Sequence, residues 1–147
     1  MSTAGDASQQ AAIEQRINEM AQQSKVLEAY MNDIISRQIT LTRLLEEARS
    51  ASTTIQSIAS DSETESLMPI GIGIFVKTNV PPIKKLLVSL GAGVTVEKGR
   101  EDALNYIESR IKEYEIAARQ LDAQRQEIAM RIEQIQGQLT RMLQSGR

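Results

Sequence analysis

The chain has 147 residues, 41% of them hydrophobic, and a formal net charge of −2 with both signs interspersed; this is the size of one domain, with no electrostatic footprint for nucleic acid or an anionic membrane. It contains no cysteine and no histidine, which excludes disulfides, thiolate metal sites, cysteine nucleophiles, the usual zinc and copper sites and every histidine-based triad. Only carboxylate chemistry would remain to an enzyme, so neither catalysis nor a metal or other cofactor is expected.

The four aromatic residues (Tyr30, Phe75, Tyr106, Tyr114) are outnumbered by Ile, Leu, Met, Ala, Gln, Glu and Arg, the palette of long helices, and no thick multilayer core is expected. The start, Met1-Ser2-Thr3-Ala4-Gly5-Asp6, has no basic or apolar leader character, and the longest apolar run, Ile70 to Val76, is interrupted by glycine. A soluble cytoplasmic protein with no membrane association is the expectation.

From Asp6 to Met68 there is neither Gly nor Pro, and apolar or small residues recur at alternating steps of three and four: Ile13, Ile17, Met20, Ser24, Leu27, Met31, Ile34, Gln38, Leu41, Leu45, Ala48, Ser52, Ile55, Ala59. This heptad stripe predicts one long helix over about 9–59. The polar, acidic stretch Ser57 to Ser66 reads as a linker where the helix frays.

All three prolines (Pro69, Pro81, Pro82) and four of the eight glycines (Gly71, Gly73, Gly91, Gly93) fall in the next segment. There the period changes to two. Ile70, Ile72, Ile74 and Val76 alternate as a strand requires, and Leu87, Val88, Leu90, Val94 and Val96 fill a second β-branched run. Asn79-Val80-Pro81-Pro82 separates the two runs. Two short β hairpins or bent strand pairs over about 67–98 are predicted. Gly71-x-Gly73 and Gly91-x-Gly93 lack the continuation of a phosphate loop and are read as bends.

A second heptad stripe follows, Leu104, Ile107, Ile111, Tyr114, Ala118, Leu121, Arg125, Ile128, Ile132, Ile135, Leu139, Met142, and predicts a helix over about 100–144. A helix roughly 65 to 70 Å long at about 1.5 Å per residue needs a partner to cover its stripe, and the nearest one is the other flank folded back antiparallel. Facing Ile17 with Met142 and Ile55 with Leu104 puts the reversal in the Pro/Gly-rich segment and both termini together at the far end. Arg125 then faces Ile34, with Gln38 one layer away, and these polar seam residues are expected to fix the register. Hairpins this short cannot bury both faces or satisfy their own edges; Ile70, Ile72, Ile74, Val76, Leu87, Val88, Leu90, Val94 and Val96 are therefore expected to bind other subunits. The fold class is α+β, mostly α, with a single unit over 1–147.

The order helix, Leu67-Met68-Pro69-Ile70-Gly71, Ile74-Phe75-Val76-Lys77, Leu86 to Val94 (Leu-Leu-Val-Ser-Leu-Gly-Ala-Gly-Val), Val96-Glu97-Lys98, helix resembles the alpha-class subunits of archaeal-type prefoldin. Leu90-Gly91-Ala92-Gly93-Val94 followed by Val96-Glu97-Lys98 is the most specific part. The resemblance implies a hexamer of two alpha and four beta subunits on a β-barrel platform. Its coiled-coil tips would hold unfolded proteins without ATP and pass them to a group II chaperonin. Gly99 departs mildly from the polar residue expected before the second helix, at little cost as an N-cap.

On that reading the candidate client-binding residues are Ala11, Ala12, Ile13, Ile17 and Met20 with Ile135, Leu139, Met142 and Leu143, where frayed helix ends expose seam residues and adaptable methionine suits varied clients. The structural reading of the same residues is that they complete the seam. Gly137 is expected to loosen the second helix, while Glu46, Glu47, Glu113 and Glu115 are expected to be solvated outer-face residues. A structural coiled-coil spacer and a nucleic-acid-binding arm are the alternatives. The arm would need a basic stripe, whereas Arg16, Lys25, Arg131, Arg141 and Arg147 are mixed with Asp6, Glu14, Glu19 and Glu133.

Overall fold

A computed structural model describes residues 3–58 and 60–145. The elements follow the order α1 (Thr3–Ser57), β1 (Thr64–Gly71), β2 (Ile74–Val80), β3 (Lys85–Gly91), β4 (Val94–Gly99) and α2 (Arg100–Ser145). The chain divides into two compact units, Met1–Thr42 with Ala117–Arg147, and Arg43–Ile116. Each helix contributes to both. Ala59 and Arg147 lie outside the described residues.

The first unit is built on the heptad stripe. Met20, Ser24 and Ile34 are buried, and Ile17, Leu27, Met31, Gln38, Leu41, Ala118, Leu121, Ile128, Ile132, Ile135, Leu139 and Met142 are half-buried, while the positions between them are largely exposed. The helices run antiparallel here: Ile13 and Ile17 line one groove with Met142 and Leu143, and Leu27 lines another with Ile135. Arg125 keeps its guanidinium at the seam's edge, where Nη1 donates to Gln38 Oε1 at 3.0 Å, one layer from Ile34. That hydrogen bond can form in one register only, since a shift by a heptad would separate the pair.

In the second unit, Leu45, Ser52 and Ile111 are buried on the same stripe, with Ala48, Ile55, Leu104, Ile107 and Tyr114 half-buried. Ala103 is 1% exposed although it is off the stripe. Among the described residues no large side chain is fully buried, as expected of a seam one or two side chains thick. Glu115 keeps 41% of its side chain exposed and also accepts from Arg49 of α1 at 3.2 Å, a partner the sequence pattern did not indicate. Both partners keep substantial exposure, so this pair contributes only a fraction of about 1 kcal/mol.

α1 begins at Thr3 rather than near residue 9, because alanines and a first-turn Asp6 support the helix there despite the weak apolar stripe. It ends at Ser57, where hydroxyls turn back on the helix: Thr53 onto Arg49 O at 3.1 Å, Thr54 onto Ser50 O at 2.8 Å and Ser57 onto Thr54 O at 2.8 Å. The last turn holds no basic residue. Arg100, the first residue of α2, takes that role from outside by donating from Nη2 to Gln56 O at 2.9 Å, while its backbone N–H donates to Lys84 O at 3.3 Å. One residue thus joins the end of α1, the entry to β3 and the start of α2.

The β segment forms two separate antiparallel hairpins, β1 with β2 and β3 with β4. β1 starts three residues earlier than the apolar pattern indicates. Thr64, Glu65 and Ser66 pair with Val80, Asn79 and Thr78, so the expected linker gives three residues to a strand and the expected separator gives Asn79 and Val80. Backbone pairing makes no demand for apolar side chains, which is why the period missed them. Both hairpins close through two-residue loops, Ile72-Gly73 (φ 43° and 79°) and Ala92-Gly93 (φ 52° and 77°). Positive φ at both central positions is the type I′ geometry that matches strand twist, and Gly73 and Gly93 occupy the second position without strain.

Two stability outcomes follow from this connectivity. Arg100→Ala should lower the unfolding free energy by about 1 kcal/mol, read from urea denaturation followed by helical circular dichroism; an unchanged midpoint would remove its capping role. Arg125→Leu should raise the melting temperature while admitting a second seam register, seen as extra products in cysteine cross-linking between the helices, and a single register without added stability would count against the polar pin.

Candidate functional site

At the α1 N-terminal and α2 C-terminal ends of the first unit, an open groove of about 350 Å³ is lined by Asp6, Gln9, Gln10, Ile13, Glu14, Ile17, Met142 and Leu143. Four of the nine candidate client-binding residues therefore converge. Ile13 is 45% exposed and Leu143 59%, large apolar side chains held in water near these helix ends. Ala11 and Ala12 are exposed on α1, Leu139 is half-buried on the seam, and Met20 is among the most buried side chains. Met20 reaches a bound chain only if the helices part.

Ile135 lines a different groove of about 600 Å³, together with Glu19, Gln22, Gln23, Val26, Leu27, Arg131 and Gln134. Val26 is exposed and off the heptad stripe. Heptad reasoning passed over it because it tests for seam positions only; an apolar residue on the polar face was the available signal.

The β segment distributes its apolar side chains unevenly. In hairpin β1–β2, Leu67, Pro69 and Phe75 fall on one face and Met68 and Val76 on the other by pairing register, and the large ones among them are all exposed. Ile70 and Ile74 flank the loop and are also exposed. In hairpin β3–β4 the faces differ: Leu86, Val88, Val96 and Lys98 are half-buried, whereas Leu87 on the opposite face is 77% exposed. Leu90 and Val94 are exposed near the loop. Of that half-buried face, Leu86 shares a surface recess with Ala51, Ile55 and Ile58. Lys98 Nζ lies 5.9 Å above the Tyr106 ring centroid and the Arg110 guanidinium lies 5.5 Å from it, within cation–π reach. The Tyr106 hydroxyl accepts from Arg110 Nε at 3.3 Å, and this contact, reinforced by Glu113, raises the Arg110 pKa above its ordinary value.

Among the described residues no cluster of acidic side chains is placed to hold a metal ion, and no helix is long and apolar enough to cross a membrane. Both grooves combine apolar surface with neutral amides and charged side chains, Asp6 and Glu14 in the first and Glu19 and Arg131 in the second.

Residues 27–145 match the family model described as prefoldin subunit. The chain belongs to the prefoldin family, in its archaeal-type alpha class. It is 36% identical over 132 residues to prefoldin subunit alpha of Nitrosopumilus maritimus, covering 90% of this chain and 91% of that relative. It is 34% identical over 100 residues to prefoldin subunit alpha 1 of Thermococcus kodakarensis, covering 67% and 68%. Among solved structures the fold is similar to filamentous PFD from Methanocaldococcus jannaschii, with a TM-score of 0.65 at 24% identity over 82% of this chain and 98% of that one. It is also similar to the prefoldin beta subunit from Thermococcus strain KS-1, with a TM-score of 0.60 at 14% identity over 84% and 89%. Membership of the prefoldin family makes this protein a chaperone subunit.

Near the convergent end, Gly137 is half-buried in α2, and a Cβ built on it would meet only the Arg141 guanidinium, at 3.9 Å. Gly137→Ala should therefore stabilise the helix by about 1 kcal/mol, measured by chemical denaturation; a loss of stability would show that packing requires glycine there.

Proposed function

We propose that this subunit is an ATP-independent holdase that grips unfolded polypeptides at the end of its paired helices and delivers them to a group II chaperonin. The observation that carries the reading is the convergence of Ile13, Ile17, Met142 and Leu143 in one open groove at the helix ends, with Ile13 and Leu143 both exposed. A groove in which Ile13, Ile17, Met142 and Leu143 stand beside Gln9, Gln10, Asp6 and Glu14 suits an unfolded chain, which offers apolar side chains and unpaired peptide groups without a fixed shape. Met20, Ile135 and Leu139 join the surface when the end layers separate, and Ala11 and Ala12 extend it along α1. No nucleotide and no catalytic residue take part: affinity comes from apolar burial, which is given up again on release.

The subunit works in a hetero-hexamer of two alpha and four beta subunits, joined through the β segment into a barrel-like platform. Support comes from the hairpins themselves. Ile70, Ile72, Ile74, Val76, Leu87, Leu90 and Val94 are all exposed, among the described residues each sheet has two strands, and a two-stranded ribbon alone is marginal in water. Val88 and Val96, half-buried on the inner face of β3–β4, contribute by seating that hairpin.

Deleting the residues before Met20 and after Ile135 should leave the hexamer intact, by native mass spectrometry, while abolishing suppression of aggregation of a denatured client. Full suppression by the truncated hexamer would refute the tip model, and loss of the hexamer would place the assembly contacts elsewhere.

A further inference from the structure

We infer that the groove at the helix ends selects among unfolded chains by charge: it favours extended apolar segments carrying lysine or arginine over segments of the same apolar content carrying aspartate or glutamate. The inference rests on the holdase reading above and adds to it the chemical class of client.

The lining of the groove carries the argument. Ile13, Ile17, Met142 and Leu143 supply apolar surface, and the ionisable side chains beside them, Asp6 and Glu14, are both acidic. No lysine or arginine is among the described residues that line it. Asp6 and Glu14 are exposed, and neither forms an ion pair with another described residue. The groove that holds Ile135 is of a different kind. There Glu19 is accompanied by Arg131, whose Nη2 already meets Glu127 Oε1 at 3.1 Å, so its lining has no excess of either sign. Only the end groove joins apolar surface to carboxylates that no described cation offsets.

The placement of the two carboxylates on α1 sets a spacing. Asp6 and Glu14 are eight residues apart, about 12 Å along a helix that rises about 1.5 Å per residue. An extended chain advances about 3.3 Å per residue and spans that distance in roughly four. Residues i, i+2 and i+4 of such a chain point to one side, so two basic side chains can meet the carboxylates while an apolar one between them meets Ile13 and Ile17. Gln9 and Gln10, between Asp6 and Glu14 in sequence, offer amide donors and acceptors to its peptide groups. An exposed ion pair adds little. Charge therefore tilts the choice among clients, while apolar burial supplies the affinity.

The test uses the full-length chain assembled with a beta-class subunit. Two fluorescent unfolded peptides share the same apolar residues and differ at two positions roughly four residues apart, both lysine in one and both glutamate in the other. Binding is read by fluorescence anisotropy at low salt and at about 1 M salt, where charges farther apart than about 3 Å are screened. Replacing both carboxylates, Asp6→Asn with Glu14→Gln, should cut the preference for the lysine peptide about fivefold at low salt, the scale of two exposed pairs. Glu14→Lys should shift the preference toward the glutamate peptide. Both sites are exposed, so helical content by circular dichroism should match the parent. The beta subunits are the same in every assembly, so differences among variants report on this groove. Peptide binding with a preference that neither substitution alters would overturn the inference and leave the holdase reading standing, as would a preference that high salt does not reduce. A parent assembly that binds neither peptide would refute the holdase reading itself.

Discussion

Neither long helix can take its own apolar stripe out of water, so each depends on the other for nearly all its burial. The stripe is narrow, and among its large residues Met20, Ile34, Leu45 and Ile111 are buried but none completely, so stability is spread over many similar layers rather than concentrated in a core. Small or polar residues at Ser24, Gln38, Ser52 and Arg125 thin several of these layers. A seam of this kind resists slippage through its polar pins and is weakest where a layer has a neighbour on one side only. The end layers, with Ile13 and Leu143 in water, are therefore where a chaperone subunit can offer apolar surface without risking the rest of its fold.

The β segment obeys the opposite constraint. Its strands pair with each other inside each hairpin but many of its side chains are not covered, and the two hairpins differ in this respect. Hairpin β3–β4 has Leu86, Val88, Val96 and Lys98 half-buried on one face, with Lys98 over the Tyr106 ring of α2 and Arg100 bridging Gln56 and Lys84. In hairpin β1–β2, Leu67, Met68 and Phe75 remain exposed. A chain that folds its helices by itself while exposing a β surface is suited to assembly through that surface, leaving the helix ends to the client.

Much of this was legible residue by residue. Every heptad position from Ile17 to Ile55 is buried or half-buried, as is every one from Leu104 to Met142 except Arg125, because helical period and burial are two expressions of one geometry. The glycine-marked loops and the register pin between Arg125 and Gln38 were also readable. Thr64 to Ser66 were not, since a strand of polar residues pairs through its backbone and leaves no apolar period. The partner of Glu115 was missed for a related reason: a position flanking the seam looks unpaired until the facing helix brings Arg49 to it. Ala103 and Val26 lie off the stripe and gave no periodic signal.

By itself the sequence determined the two helices, their pairing face, the punctuation of the β segment and, through the motif around Gly91 and Gly93, the family, because these depend on local period and on residues with special backbone freedom. Tertiary structure alone decided which candidate residues meet in one groove and that Ile135 belongs to another. It alone decided that Met20 is sealed, and that the two hairpins, alike in turn geometry, differ in what covers them. Such distinctions depend on which surfaces a distant part of the chain occupies, and no local pattern encodes that.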